Sequence, residues 1–225
     1  MTAPEPSHYP VVLDVAGRLA VVVGSGRSAE TKARSLASHG ADVVLIAPDV
    51  SAEMLSAEAD GLITIERRGY VRGDLEGAFL VVCASGTSEI DAAVHAEARE
   101  RGVLMHAASS PVLCNYLVPS VVRRGPLQIA ISTEGRVPWL TRRVRREIAE
   151  RYGPAWAEYA ALLARVRTYA IERCTRTEAE IDTILEAIHA SDVLERIEGG
   201  AVLGAADVFR EFKVACDGPT KGEDQ

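Results

Sequence analysis

The first half of the chain alternates short apolar runs with stretches of helical composition. Residues 19–23 (LAVVV) form a continuous apolar run, as expected for a parallel strand that is buried on both faces. Four similar runs follow, at residues 42–47, 61–66, 79–84 and 103–107. Helical segments are predicted at residues 29–39 and 88–101. Strands that alternate with helices predict βαβ units, and therefore an α/β fold with a twisted parallel sheet.

The first strand leads into a glycine turn whose spacing matches a dinucleotide-binding loop. Gly24, Gly26 and Ala29 give the pattern G-x-G-x-x-A between a predicted strand and a predicted helix. The first glycine permits the turn, the second admits a pyrophosphate close to the backbone, and the third small residue lets helix and strand pack. The helix N-terminus then offers free N–H groups to the phosphates. The alternative is a tight turn of an α/β fold that binds no phosphate.

An acidic residue stands where such a fold meets the adenosine ribose. Asp49 closes the second strand, about 20 residues beyond the glycines, and no arginine follows it directly. This arrangement favours NAD over NADP as the cofactor.

The pattern changes after Pro111. Residues 127–132 (LQIAIS) are predicted to form an isolated strand, and Pro138 begins an arginine-rich helix over residues 139–151. Gly153-Pro154 breaks that helix, and helical spacing of apolar residues resumes from Ala155. A further helix is expected at 178–189 with Thr177 as its N-cap, and residues 217–225 are expected to be disordered.

Composition excludes several classes of protein. The chain has 225 residues and a formal net charge of −7, which argues against general nucleic-acid binding. No apolar stretch reaches the roughly 20 residues that span a bilayer, and the first ten residues lack the features of a secretion signal, so a loose N-terminal arm and a cytoplasmic location are expected. The four cysteines are scattered without metal-ligand spacing, so reduced thiols and no metal site are expected.

Positive charge is concentrated in one segment of this acidic chain. Residues 123–151 contain eight arginines and three glutamates. Such a segment suggests an anionic ligand, because guanidinium groups pair with carboxylates in fixed bidentate geometry. The alternative is an arginine-rich helix face that is merely solvated.

Three blocks of the sequence together resemble one known family. These blocks are YPVVLDVAGRLAVVVGSGRSAETKARSLASHGADVVLIAPD, DLEGAFLVVCASGTSEIDAAV and SSPVLCNYLVPSVVRRGPLQIAISTEGRVPWLTRRVRREI, and the resemblance covers residues 9 to 170. The chain is similar there to the precorrin-2 dehydrogenases of siroheme biosynthesis, which occur alone, with a ferrochelatase activity, or as the N-terminal part of siroheme synthase. The resemblance implies an NAD-binding Rossmann-type domain (residues 1–112), a dimerisation region (113–151) and a small helical C-terminal domain (152–225).

The resemblance also implies the activity and its residues. The expected reaction is the NAD-dependent oxidation of precorrin-2, a tetrapyrrole with eight carboxylates, to sirohydrochlorin by a homodimer. The expected cofactor contacts are Gly24, Gly26, Arg27, Ser28, Pro48, Asp49, Ala84 and Ser85. The expected substrate contacts are Thr133, Arg136, Arg142 and Arg146.

The sequence departs from the family at its best-known catalytic position. The family has an aspartate after the fifth strand, in an Asn-Val-Val-Asp-x-Pro pattern, where this chain has Ser109, and His106 replaces the asparagine of that pattern. The asparagine of the fourth-strand block is Asp91 here, and the Ser-Pro of the later loop is Val137-Pro138. A serine hydroxyl is a poor base and a poor iron ligand near neutral pH. Ser109 and His106 are therefore the catalytic candidates, with His106 as a substitute proton acceptor.

Three accounts of this departure stay open. Positioning of NAD against the macrocycle can suffice for hydride removal, with the proton lost to water or to His106. Iron insertion can be lost while oxidation is kept. The chain can also be a paralogue that binds a tetrapyrrole or nucleotide without catalysis. We expect oxidation without iron insertion. We also expect a symmetric homodimer, because the apolar residues at 113–122 and 127–132 are too many for a monomer surface.

Overall fold

The structure is a computed structural model that describes residues 8–174 and 177–212. Contacts divide the chain into two compact units, Met1–Val118 and Pro119–Gln225. The first seven residues of the predicted N-terminal arm and the predicted disordered tail lie outside the described residues.

The first unit is built on a five-stranded parallel sheet. Its strands are β1 (Leu19–Val23), β2 (Asp42–Ile46), β3 (Thr64–Glu66), β4 (Leu80–Cys83) and β5 (Leu104–Ala107). They lie in the order β3-β2-β1-β4-β5, and every neighbouring pair is parallel. The prediction of a Rossmann-type parallel sheet is confirmed, although most strands are shorter than the apolar runs suggested.

Two hydrophobic clusters cover the two faces of this sheet. Helix α1 (Arg27–Ala37) packs Ala29 and Ala33 against one face, and α3 (Ser88–Arg101) packs Val94 and Ala98 against the other. Helix α2 (Ala52–Ala59) was not predicted; Met54 is its one fully buried side chain. The burial of β1 and β4 on both faces explains why their sequences read as continuous apolar runs.

Residues after a 3₁₀ turn (Pro111–Leu113) return to the outer side of β5. The Asn115 side-chain oxygen accepts from the Met105 amide at 2.7 Å, and its amide group donates to the Val103 carbonyl at 3.2 Å. The Asn115 backbone N–H donates to the Met105 carbonyl, and the Cys114 sulfur accepts from the Ala107 amide. One asparagine therefore satisfies much of the backbone of β5 on the side that faces away from β4.

A fully buried carboxylate ties the loop before β4 to helix α3. Glu97 accepts from the Tyr70 hydroxyl, from the Gly73 amide at 3.0 Å and from Arg101 Nε at 2.7 Å. Burial by itself raises the pKa of Glu97, but these hydrogen bonds outweigh it and lower the pKa below its ordinary value. The carboxylate is therefore ionised and fixed.

The second unit begins with a two-stranded antiparallel sheet, β6 (Ser120–Arg124) and β7 (Leu127–Ile131). The prediction of an isolated strand at residues 127–132 was therefore wrong. The sequence of β6, SVVRR, concealed it because it is neither a continuous apolar run nor an alternating one, and only Val122 of that strand is buried. Gly125, with φ 55°, makes the tight turn between the two strands.

Five helices complete the described part of the second unit. They are α4 (Pro138–Arg151), α5 (Trp156–Cys174), α6 (Glu178–His189), α7 (Val193–Glu198) and α8 (Ala205–Glu211). The predicted N-cap of α6 is present, since Thr177 and Glu180 form a capping box. The last four helices share one apolar core that contains Tyr159, Leu162 and Phe209. Arg124 donates to the carbonyls of Tyr152 and Ala149 and so satisfies the C-terminal end of α4.

Candidate functional site

The candidate site lies at the carboxyl ends of β1 and β4, the two central strands of the sheet. The chain leaves β1 toward β2 on one side and leaves β4 toward β5 on the other, so the strand order reverses between these two neighbours. Ligands of open α/β sheets bind at such a switch point. Gly24 directly follows β1 and Ala84 directly follows β4.

The two glycines of the loop have different surroundings. Gly24 is buried with φ 126°, and a Cβ there would lie 2.8 Å from the Ser85 amide nitrogen and closer still to the Ala84 carbonyl. Gly26 has φ 89°, is exposed, and a Cβ there would meet nothing within 4 Å. Gly24 therefore allows the ends of β1 and β4 to approach each other, whereas Gly26 leaves open space above the loop.

The N-terminus of α1 suits a phosphate group. Gly26 is the N-cap residue and contributes no side-chain hydrogen bond, and Arg27 and Ser28 begin the helix in exposed positions. Helix N-termini carry unpaired N–H groups and partial positive charge. The open space at Gly26 and the uncapped helix end fit the pyrophosphate of a dinucleotide.

Pro48 and Asp49 follow β2 at the same end of the sheet and are exposed. Next to them, Glu30 of α1 accepts from the Ser51 amide at 3.1 Å, which fixes the turn into α2. A cavity of about 680 Å³ lies between α1 and the start of α2. Arg34, which lines this cavity, is paired with Glu53 at 3.0 Å.

A buried carboxylate, Asp91, lies behind the loop after β4. Its side chain is on α3, and the residue is only 3% exposed. Asp91 accepts from Ser85 Oγ at 2.6 Å, from Cys83 Sγ at 3.1 Å and from Ser109 Oγ. A cavity of about 240 Å³ opens onto this group and is lined by Gly86, Thr87, Ser88, Asp91, Ser109, Ser110 and Leu113.

Hydrogen bonds, rather than a cation, stabilise the charge on Asp91. Burial raises the pKa of this carboxyl, but donation from Ser109, Ser85 and Cys83 outweighs burial and lowers the pKa. Burial and the neighbouring Asp91 charge raise the pKa of Cys83 to about 12, so this thiol remains a donor. In the described parts of the chain, no lysine, arginine or histidine forms an ion pair with Asp91.

The structure separates the two catalytic candidates. Ser109 is exposed and lines the 240 Å³ cavity, whereas His106 does not line it. Met105 and Ala107 of β5 pack on the α3 side, so the alternation of a strand directs His106 to the α1 side. There its ring lies 5.8 Å from that of Tyr116, and burial and the nearby Lys32 charge lower its pKa. The sequence identified Asp91 only as the residue that stands where the family has an asparagine. Its position in the helix directly after a buried strand was the feature that could have marked it as a site residue.

The arginines expected to contact the substrate lie in the second unit. Arg142 and Arg146 are one turn apart on α4 and are exposed. Their neighbour Arg143 is paired with Glu147 at 2.6 Å, but none of the described carboxylates forms a salt bridge with Arg142 or Arg146. Arg136 lies 3.7 Å from Glu134, and the Thr133 hydroxyl accepts from the Val137 amide at 3.1 Å before α4 begins.

Residues 8–174 and 177–212 offer neither a metal-ligand cluster nor a membrane-spanning helix. Their histidines, cysteines, aspartates and glutamates form no group of three or more that could hold a metal ion. None of their helices combines the length and the apolar character needed to cross a membrane.

Two family models match the chain in succession. A model described as putative NAD(P)-binding matches residues 11–120, and one described as sirohaem biosynthesis protein central matches residues 124–151. The siroheme synthase of Azotobacter vinelandii is 32% identical over 212 residues, which is 94% of this chain and 45% of that protein. The siroheme synthase of Pseudomonas entomophila is 34% identical over 160 residues, which is 71% of this chain and 35% of that protein.

The chain thus spans less than half the length of these siroheme synthases. A solved structure, SirC, a precorrin-2 dehydrogenase, matches with a TM-score of 0.74 and 26% identity, and the match covers 92% of this chain and 99% of that one. The order of the two family models, these relatives and the shared fold agree with one another. The chain belongs to the precorrin-2 dehydrogenase family, which it shares with the siroheme synthases.

Proposed function

We propose that this protein oxidises precorrin-2 to sirohydrochlorin with NAD as the hydride acceptor. The observation that carries the proposal is the match to a precorrin-2 dehydrogenase over nearly the full length of both chains. The glycine loop at the switch point of the sheet supplies the nucleotide site that such a reaction needs. The comparisons do not favour the alternative of a tetrapyrrole- or nucleotide-binding protein without catalysis.

The residues after β2 support NAD as the cofactor. Asp49 is positioned to accept hydrogen bonds from the adenosine ribose, and its charge would repel the 2′-phosphate of NADP. Gly24, Gly26, Arg27 and Ser28 would hold the pyrophosphate. Pro48, Ala84 and Ser85 would line the ribose and nicotinamide parts of the site.

The cofactor assignment can be tested by calorimetric titration of the folded protein. NAD should bind and NADP should bind more weakly, and Asp49→Ser should narrow the difference between them. Asp60→Asn, at an exposed position after α2, is the matched control and should leave both affinities unchanged. Tighter binding of NADP than of NAD to the wild type would contradict the assignment.

The arginines of α4 support an anionic tetrapyrrole as the substrate. Arg142 and Arg146 present two guanidinium groups on one face of a helix, at a spacing suited to neighbouring carboxylates. Arg136 and Thr133 precede this helix and would extend the same surface. The double variant Arg142→Ala/Arg146→Ala should weaken tetrapyrrole binding, whereas Arg165→Ala on α5, where the arginine is paired with Glu158, should not.

Exposed apolar residues of the second unit support a homodimer. Trp139, Leu140 and Val137 are 65%, 41% and 45% exposed, and the β6–β7 sheet has only two strands. Two-stranded sheets are marginal without further packing. Sedimentation at micromolar concentration should show a dimer, and a monomer alone would contradict this proposal.

The enzymatic assay follows NADH absorbance after precorrin-2 is mixed with protein and NAD. Wild type should produce NADH, and Gly26→Asp should not, because its side chain would place negative charge against the pyrophosphate. When Fe²⁺ is added to the sirohydrochlorin formed, the rate of iron insertion with the protein present should be no higher than the rate in buffer alone. Binding of both ligands without formation of NADH would support the binding protein instead.

A further inference from the structure

A buried carboxylate without a cation is unusual, and Asp91 stands at the crevice where the proposed cofactor would bind. Its oxygens accept from a thiol and two hydroxyls, and none of these donors is charged. Burying a carboxylate in this way is costly, and such groups are concentrated at functional sites. The loop Ala84-Ser85 and Ser109 both border it, so Asp91 lies directly behind two parts of the candidate site.

The two hydroxyls that donate to Asp91 differ in how many other hydrogen bonds they form. Ser85 Oγ donates to Asp91 at 2.6 Å, accepts from the Thr87 amide at 3.1 Å and lies 3.3 Å from Thr87 Oγ1, so its neighbours within the loop engage it on every side. Ser109 Oγ donates to Asp91, and no described group donates to it in turn. With its hydrogen engaged, the Ser109 hydroxyl can offer an incoming molecule only its lone pairs. It is exposed, whereas Asp91 behind it is almost fully buried.

We propose that Ser109 and Asp91 form a two-residue proton relay, in which Ser109 Oγ accepts the proton that the oxidised tetrapyrrole loses and passes its own proton to Asp91 Oδ2. This inference rests on the proposed function and adds the route of the proton. Ser109 is the group that would touch the substrate, and Asp91 is the positioning residue and proton sink behind it.

The step balances with the groups named. Oxidation removes a hydride from a carbon of the macrocycle, and the C–H electron pair leaves with it to the nicotinamide ring of NAD. A ring N–H bond breaks, its electron pair stays on the macrocycle as a new double bond, and the proton bonds to Ser109 Oγ. The proton that Ser109 Oγ carried before the step is transferred to Asp91 Oδ2. Asp91 later returns a proton to the Ser109 hydroxyl, which releases one to water.

The environment of Asp91 permits this role. The groups that face it are Cys83 from β4, Ser85 from the following loop and Ser109 from the loop after β5; His106 lies on the other side of the sheet. The Asp91 carboxyl lies in the first turns of α3, where the helix N-terminus stabilises negative charge. Asp91 is therefore ionised at neutral pH, and its Oδ2, which already accepts from Ser109, is the atom to which that proton can pass.

Asp91→Asn and Ser109→Ala test the relay. In the Asp91→Asn variant the amide oxygen can still accept from Ser109. The amide nitrogen then faces Ser85 and can donate to its Oγ when the Ser85 hydrogen turns to the Thr87 carbonyl, 3.1 Å away, so the Ser109 contact survives while the proton sink is lost. We expect a fall in kcat of at least about tenfold for each variant, since a positioned base contributes about 10²–10⁴-fold. The double variant Asp91→Asn/Ser109→Ala should be no slower than the worse single variant, because the two residues act as a unit.

A variant that exchanges the two residues separates a role in proton transfer from a purely structural role, because only the former predicts recovery of kcat. Asp91→Asn/Ser109→Asp places the carboxylate at the surface with an amide behind it, and it should recover much of the lost kcat. Ser109→Thr, which keeps the hydroxyl, should also remain active. Ser56→Ala and Asp60→Asn, at exposed positions in and directly after α2, serve as controls and should match wild type.

The results separate failure of the relay from failure of the proposed function. Formation of no NADH by wild type overturns the function itself. Formation of NADH by wild type together with an unchanged kcat in Asp91→Asn overturns the relay alone. A loss confined to NAD affinity, measured by calorimetry on the folded variants, would also overturn it, since it would assign Ser109 to the nicotinamide carboxamide.

Discussion

Alanine substitutions at Gly24 and Gly26 should have different consequences, mainly for folding at Gly24 and mainly for NAD binding at Gly26, although the two glycines belong to one motif. Both have positive φ, which costs an alanine of the order of 1–3 kcal/mol. At Gly26 this is the whole structural cost, because a Cβ there meets nothing within 4 Å. At Gly24 the added methyl overlaps the backbone at Ala84 and Ser85. The ends of β1 and β4 must then separate, and such overpacking costs about a further 1–3 kcal/mol.

Urea unfolding and NAD titration of the two variants measure these effects. Gly24→Ala should lose about 2–6 kcal/mol of unfolding free energy, a large part of the roughly 5–15 kcal/mol typical of a domain. Gly26→Ala should lose only about 1–3 kcal/mol, remain folded and bind NAD poorly, because its methyl occupies the space a pyrophosphate needs. Equal stability of the variants, or wild-type NAD affinity in Gly26→Ala, would refute this division of roles.

Further predictions concern stability. Glu97→Gln should lower the free energy of unfolding by about 1–3 kcal/mol, because an amide cannot accept from all three donors. Glu100→Gln, at an exposed position, should change it by less than about 1 kcal/mol. Equal losses of the two variants in urea unfolding would contradict this. Since the folded-state pKa of Glu97 is lowered, its contribution should be complete above the ordinary glutamate pKa and disappear as pH falls below it, so wild type and variant should converge in acid. Arg124→Ala should lower the free energy of unfolding by about 1–3 kcal/mol, because it leaves carbonyls at the end of α4 unpaired. Thr177→Ala should lower it by about 0.5–2 kcal/mol through loss of the capping box. Thermal unfolding measures both effects, and a variant that melts at the wild-type temperature would contradict its prediction.

The sheet could be predicted because its strands follow a rule that is local in sequence. Residues 19–23 and 79–84 are apolar throughout, since β1 and β4 are covered on both faces. β6 does not show this signal because it is part of a two-stranded sheet with one buried residue, so the sequence predicts its partner β7 as an isolated strand. An antiparallel ribbon with two charged residues in one strand has no distinctive period to detect.

The candidate site was predictable where backbone conformation determines it and less so where side chains meet across the fold. Gly24, Gly26 and Asp49 could be placed from spacing, because a turn, a close approach and a strand end each require particular residues. The contact between Asp91 and Ser109 joins residues 18 positions apart and depends on how α3 packs beside β5. The face to which His106 points likewise depends on the register of a strand only four residues long.

Asn115 has a consequence for how this protein behaves when it is concentrated. The outermost strand of a sheet ordinarily offers unpaired N–H and C=O groups on which another chain can add a strand, the first step in many aggregates. On β5 those positions are filled from within, because Asn115 bonds to Met105 and Cys114 accepts from Ala107, while Asn115 also bonds to Val103 directly before the strand. At the opposite margin β3 has only three residues, followed by Arg67 and Arg68. At β3 the Glu58 side chain also accepts from the Ile65 amide at 3.3 Å. Both margins of the parallel sheet thus disfavour the addition of a strand from another molecule.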